Sequence, residues 1–303
     1  MTRLRADLML LLTAFIWGTA FIAQKDANHS MGPITFVGIR FLLSALALIP
    51  LALYERRRAA AAGARPFSRR DWLQTLIVGL CLFSGGALQQ VGLATTTATN
   101  GGFLTALYVV IVPFMVWGMN GTRPRSLVIA ACAVSVWGAW LLTDDGSARH
   151  WSVGDILVML ADFAWALAIT VIADFMQRTH RPFFLSFAQY CITAVLGLSI
   201  GLIFEPLSLP GISTAIPAIL YAGLLSGGVA YTLGIVAQKY TPPSEAALIM
   251  CLESVFAALA GAVMLHERLT LVAACGCGLI LLGVVIVEVG PVLLRGLNRA
   301  PIN

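Results

Sequence analysis

Charge is scarce in this chain. Asp, Glu, Lys and Arg make up 11% of its 303 residues, where a soluble domain of ordinary composition carries about a quarter. Apolar residues reach 59%, and the mean hydropathy is +0.89. That excess cannot be hidden in one globular core, so a water-facing exterior all round is excluded. Histidine is scarcer still: His29, His150, His180 and His266 all fall in loops or at the ends of apolar segments. The six cysteines lie inside apolar segments, none in a C-x-x-C pair. Cys275 and Cys277 are two apart and so point to different helix faces. They read as small apolar packing residues. The sequence has no P-loop, no H-E-x-x-H, no G-x-S-x-G and no His/Cys cluster at metal spacing. No cofactor and no metal site are therefore expected. The net charge of +5 is spread over connections instead of forming one patch, which speaks against a nucleic-acid partner.

What the chain has is long apolar runs. Spans are expected near residues 7–23, 33–54, 72–94, 98–119, 127–143, 153–176, 183–204, 216–238, 244–265 and 271–289. Backbone groups in hydrocarbon must bond within their own segment, so the spans are helices. Arg3 and Arg5 precede the first run, as in a signal peptide. The run is long and no A-x-A site closes it, so it reads as a retained span. If the ten spans alternate from a cytoplasmic N-terminus, 15 of the 19 Lys and Arg face the cytoplasm. Lys25, Arg149 and Arg268 face outward, and Arg40 lies within a span. This is the positive-inside bias of an inner (plasma) membrane protein with both termini cytoplasmic. The longest connection, ERRRAAAAGARPFSRRD (Glu55–Asp71), is basic and reads as a cytoplasmic loop near anionic lipid heads.

The apolar pattern also repeats. ADLMLLLTAFIW (Ala6–Trp17) and GDILVMLADFAW (Gly154–Trp165) match at an offset of 148, pairing Asp7 with Asp155, Phe15 with Phe163 and Trp17 with Trp165. Ser84-Gly85-Gly86 matches Ser226-Gly227-Gly228 at an offset of 142. Paired glycines in mid-helix permit either a close approach of neighbours or a bend. Two halves, 1–146 and 147–303, each carry five spans. An odd number per half turns the second half upside down. The expected fold class is thus all-α integral membrane, ten transmembrane helices in two inverted five-helix repeats. Inverted repeats of this kind build sites reachable from either side of a bilayer.

Three ionisable residues lie at membrane depth: Asp162, Glu253 and Arg40. A charge there costs at least about 2.5–3.5 kcal/mol, so it normally faces protein or water. In the repeat, Asp162 aligns with Ala14, Glu253 with Val112 and Arg40 roughly with Gln189. The scaffold therefore does without a charge at two of these sites. Glu253 and Asp162 are the candidates for binding a proton or a cationic group; a structural ion pair or an interhelical hydrogen bond is the rival use. Arg40 has the further option of snorkelling to the interface. Gln89, Tyr108, Gln189 and Tyr231 are candidates to complete a cavity. Gln90 adjoins Gln89, so at most one of the two points at the centre. Asn100 reads as the cap of the fourth span. Trp17 and Trp165 sit in mid-span, away from the interfacial belt, either facing a central cavity or packing between helices. Trp72 and Trp151 read as interface anchors.

With FIWGTAF (Phe15–Phe21) in the first span, Arg40 in the second, Pro113 in the fourth and Leu265-His266-Glu267-Arg268-Leu269 closing the ninth, the chain resembles EamA-type members of the drug/metabolite transporter superfamily. His266 replaces a usual glycine, and Ser254 stands where a proline is common. The resemblance implies a ten-helix bundle that moves small organic solutes, usually outward, and is not an enzyme. It implies that the first four helices of each half wall a cavity and that the fifth and tenth pack outside. Export of amino acids or related metabolites by alternating access, with a proton as the coupling ion, is the leading expectation. Efflux of organic cations or drugs is the alternative, favoured if Glu253 and Asp162 both face the cavity. An intramembrane enzyme or a passive channel are the rivals from other classes. The expected partners are a small-molecule substrate, the lipid bilayer and a proton; the oligomeric state is left open.

Overall fold

The computed structural model of the protein describes residues 2–121, 123–142, 152–264 and 270–297. Trp151, Arg149, Arg299 and the Leu265–Leu269 turn lie outside them. The described residues are helical, with no strand among them. The helices are α1 (Arg3–Ala27), α2 (Pro33–Ala61), α3 (Arg69–Gly92), α4 (Ala98–Thr105), α5 (Tyr108–Asn120), α6 (Ser126–Leu142), α7 (Val153–Thr179), α8 (Pro182–Phe204), α9 (Leu209–Leu220), α10 (Thr232–Ala237), α11 (Pro243–Met250), α12 (Glu253–Met264) and α13 (Leu271–Leu297). A π-helical segment, Tyr221–Tyr231, joins α9 to α10. Eight helices or continuous helix runs are long and apolar enough to cross a membrane; α6 and α13 contribute shorter apolar stretches, Ser126–Leu141 and Ala274–Ile286. Multiple apolar helices of this length make it a multi-pass membrane protein.

Local chemistry sets the starts. Pro33 and Pro182 occupy the first turns of α2 and α8, where a missing N–H costs nothing. Ser68 with Asp71 and Ser152 with Asp155 form capping boxes at the starts of α3 and α7. Thr97, not Asn100, caps α4: its hydroxyl accepts from the Asn100 N–H at 3.0 Å. Asn100 cannot serve because it already lies inside the first turn.

Side-chain links fix which helix ends share a face. On one face, here the Arg3 face, Arg3 pairs with Glu245 at 2.6 Å, and Arg178 of α7 reaches Asp71 of α3 at 2.5 Å. On the opposite, Asn28 face, Asn28 donates to Gln90 O at 2.9 Å, and Thr96 donates to Asp155 at 2.5 Å. Helices α2 and α8 run antiparallel, with Gly38 against Gly197; a Cβ on Gly197 would lie 2.7 Å from Gly38 Cα. Each caps the other. Glu205, just past α8, accepts from the Ile34 and Thr35 N–H groups at 2.9 and 2.7 Å. Glu55, near the end of α2, accepts from the Phe183 and Phe184 N–H groups at 3.2 and 2.8 Å. Helix N-termini favour such carboxylates because four amides there have no partner in the helix.

Two spans are broken in the middle. Between α4 and α5 the bonds tighten to three-residue steps, Leu107 N to Leu104 O and Val109 N to Ala106 O. The same happens between α11 and α12, at Leu252 N to Ile249 O and Ser254 N to Cys251 O. In α12 the Ser254 hydroxyl adds a second bond to Cys251 O at 2.8 Å. Pro113 cannot bond Val109 O, and the Cys132 thiol of α6 takes that acceptor at 3.4 Å. Counted from starts and breaks, Glu253 opens the second half of its span as Tyr108 opens the second half of its own.

Candidate functional site

The breaks and the π-helical segment meet at the centre of the bundle. They surround a cavity with about 60 Å³ of room for water centres. Helix α1 contributes Trp17, Phe21 and Gln24, one stripe at helical spacing. Helix α7 contributes Trp165, Ile169 and Ile172 in the same way. Arg40 comes from α2, Gln89 from α3, Thr105 and Tyr108 from the α4–α5 break, and Met250 and Glu253 from the α11–α12 break. Tyr231, Gly234, Ile235 and Gln238 line the side formed by the π-helical segment and α10. No described residue of α6 or α13 lines it.

The aromatic rings form one group. Tyr231 lies between the two tryptophans, its centroid 4.5 Å from Trp17 and 6.1 Å from Trp165, and 6.0 Å from Phe41. Gly85 lets Trp165 approach α3: a Cβ there would sit 2.9 Å from the indole. Gly18 does the same for Glu253, whose carbonyl oxygen would lie 2.5 Å from a Cβ on α1.

Four carbonyls of the π-helical segment take donors from neighbouring helices. Ser44 donates to Gly223 O at 2.7 Å and Tyr190 to Gly227 O at 2.7 Å. Thr13 donates to Ala230 O at 3.0 Å, and the Trp17 indole to Ser226 O at 3.3 Å. Mid-span π-turns of this kind cluster at functional sites.

The ionisable groups are buried. Glu253 is 2% and Asp162 1% exposed, and one carboxylate oxygen of each lacks a hydrogen-bond partner. Asp162 and Tyr108 both lie within electrostatic reach of Glu253. Arg40 is 5% exposed; it donates to Gln24 Oε1 at 2.7 Å and stacks over Phe41 at 4.9 Å. No carboxylate pairs with Arg40 among the described residues, so an Arg40–Glu253 ion pair is absent.

Of the expected cavity residues, Trp17, Arg40, Gln89, Tyr108, Trp165, Tyr231 and Glu253 line one cavity. Asp162 and Gln189 do not. Asp162 sits on the Trp165 stripe of α7, one turn nearer the Asn28 face. Gln189, 1% exposed, is enclosed in the body of α8 packing. Gln90 points away, bonded to Gln24 O at 2.7 Å and Asn28 at 2.8 Å. Gln24, Ser226 and Gln238 were not anticipated. Gln24 had a signal: it follows Trp17 by two helical turns. Ser226 and Gln238 had none, because the π-helical segment rotates the faces around it.

The two ends of the cavity differ. Toward the Arg3 face, Gln238 also belongs to a second cavity of about 360 Å³, whose wall includes Thr170, Asp174, Gln177, Arg125 and Glu245. Toward the Asn28 face, Arg40–Gln24, Gln90–Asn28, Lys25–Thr96 and Thr96–Asp155 contacts close the bundle.

The comparisons with known proteins agree with this architecture. The model of the EamA-like transporter family matches twice, over residues 4–144 and 152–289. An uncharacterized transporter of Archaeoglobus fulgidus is 32% identical over 94% of this chain and 86% of its own. The uncharacterized transporter YwfM of Bacillus subtilis is 26% identical over 94% of each. A protein of known crystal structure shares the fold with a TM-score of 0.73 at 18% identity, over 95% of this chain and 98% of its own. On the double family match and the relatives that span its length, the chain belongs to the EamA-like transporter family of the drug/metabolite transporter superfamily.

Proposed function

We propose that this membrane transporter is a secondary carrier that exports small metabolites, amino acids or related solutes, by alternating access, with Glu253 as the group that carries a coupling proton. The observation that carries the reading is the cavity between two broken spans and a π-helical segment, lined by Glu253, Arg40 and the grouped rings of Trp17, Tyr231 and Trp165. Broken helices at mid-membrane expose backbone and side-chain groups to a solute without exposing them to lipid.

Two features support two inverted five-helix repeats, ten spans in all. The same family model fits each half separately. The α2–α8 pair is capped reciprocally by Glu205 and Glu55, as a two-fold axis in the membrane plane would require. The cationic bias supports a cytoplasmic Arg3 face, with both termini cytoplasmic and the inner membrane as the location. With that orientation, the second cavity that shares Gln238 lies on the cytoplasmic side and the polar contacts near Asn28 on the outer side, which fits the state in which an exporter loads. Asp162 is a reserve acid one turn above the cavity and gives Glu253 an electrostatic neighbour whose charge resists a second negative charge.

Two carboxylates in the cavity would have favoured organic-cation efflux; Glu253 lines it, Asp162 does not, and Arg40 lines it too. The test is a substrate panel in proteoliposomes with and without a pH gradient. The reading expects saturable counterflow of small amino-acid-like solutes, accelerated by the gradient. Non-saturable flux without counterflow would make the protein a channel, and no flux with folded protein would remove the carrier reading.

A further inference from the structure

Arg40 is a buried cation with almost nothing to hold. Its guanidinium has about five N–H donors in a fixed fork. The hydrogen bond it makes is to the neutral amide oxygen of Gln24, at 2.7 Å, and its Nε is unpartnered. The contrast with the Arg3 face is sharp. There Arg65 and Arg178 meet Asp71 at 2.8 and 2.5 Å, and Arg70 meets Asp174 at 2.9 Å. Those arginines reach solvent to differing degrees and are paired, whereas Arg40 is enclosed and, among the described residues, has no carboxylate partner. A cation at this depth is costly unless something compensates it.

The surroundings keep the fork in place. Phe36 and Phe41 lie under the guanidinium carbon at 5.5 and 4.9 Å. Gln24 is held in turn by Gln89 at 3.5 Å. A planar guanidinium stacked on rings, with free N–H groups facing a cavity, matches a carboxylate in two-point fashion. The rings of Trp17, Tyr231 and Trp165 line the same cavity.

We infer that Arg40 anchors a carboxylate of the transported solute, so that the cavity takes monocarboxylates with an apolar or aromatic body in preference to simple organic amines. The inference rests on the carrier reading above. The solute's carboxylate supplies the counter-charge that the fold omits, and its body replaces water against the three rings.

Three probes that share a ring test it on the purified full-length protein: 3-phenylpropionate, L-phenylalanine and phenethylamine. Binding is read by tryptophan fluorescence and transport by counterflow in proteoliposomes. Wild type should bind both carboxylates at least about tenfold tighter than the amine, the worth of one hydrogen bond to a charged group. Arg40→Gln should erase that preference by weakening the carboxylates and leaving the amine unchanged. Arg40→Lys should restore part of it, since a point charge lacks the fork. The wild-type ratio stands as a test even if Arg40→Gln fails to fold. Equal affinity for amine and carboxylates in wild type, equal weakening of all three in Arg40→Gln, or binding of none would overturn the inference. Counterflow of other solutes in the same vesicles would then leave the carrier reading standing, and its absence would remove both.

Discussion

Glu253 carries the largest chemical burden of any single residue in this account. It is enclosed, one carboxylate oxygen has no partner, and it opens a half-helix at a break. The break tightens the span's bonds to three-residue steps at Leu252 and Ser254, beside the cavity that Met250 and Glu253 line. A carboxylate placed there responds to which side admits water, and alternating exposure is what proton coupling needs. Glu253→Gln keeps the volume and much of the bonding, so it should fold as wild type. It should lose acceleration by a pH gradient and keep downhill exchange, measured by counterflow at matched and unmatched pH. Unchanged pH dependence would move the coupling role to Asp162. The sequence revealed the depth of these acids because depth is read from position along a span. It could not reveal that Glu253 lines the cavity and Asp162 lies one turn above it. That depends on a break of two apolar residues, Cys251 and Leu252, to which hydropathy is blind.

At the scale of elements, the structure is organised by pairs and breaks. The expected starts at residues 33, 98, 153 and 271 coincide with the starts of α2, α4, α7 and α13, because proline and capping residues announce them. The eighth span starts at Leu209, earlier than residue 216. The expected start passed over the Ser208 cap and the proline that follow the α8 end. The π-helical segment was illegible, since its carbonyls are satisfied by Thr13, Trp17, Ser44 and Tyr190 from other helices, a tertiary fact. The reciprocal caps make a quantitative expectation. Glu205→Gln and Glu55→Gln should each destabilise the α2–α8 pair by about 1 kcal/mol, the usual worth of a helix cap. The caps lie at opposite ends of a helix pair, roughly 30 Å apart at 1.5 Å per residue. Their effects should therefore add in the double variant, read by thermal unfolding in detergent. A double variant no worse than either single one would show that the two caps do not act as independent ends of one pair.

For the whole molecule, the central claim is that one cavity serves both faces in turn. In the state described here Gln238 is shared with a second cavity toward the Arg3 face, and Arg40–Gln24, Gln90–Asn28 and Lys25–Thr96 contacts cross the bundle toward the Asn28 face. Carriers interconvert two such states, each a minor or major population that a solute shifts. Ser226 lines the cavity and differs from cysteine by one atom. The most direct measurement places a single cysteine there, Ser226→Cys, in a transport-competent background without the six native cysteines. A small membrane-impermeant thiol reagent is then applied from each side of sealed vesicles. Alternating access predicts reaction from both sides, with transported solute slowing each. Reaction from one side alone, in vesicles that still transport, would contradict it.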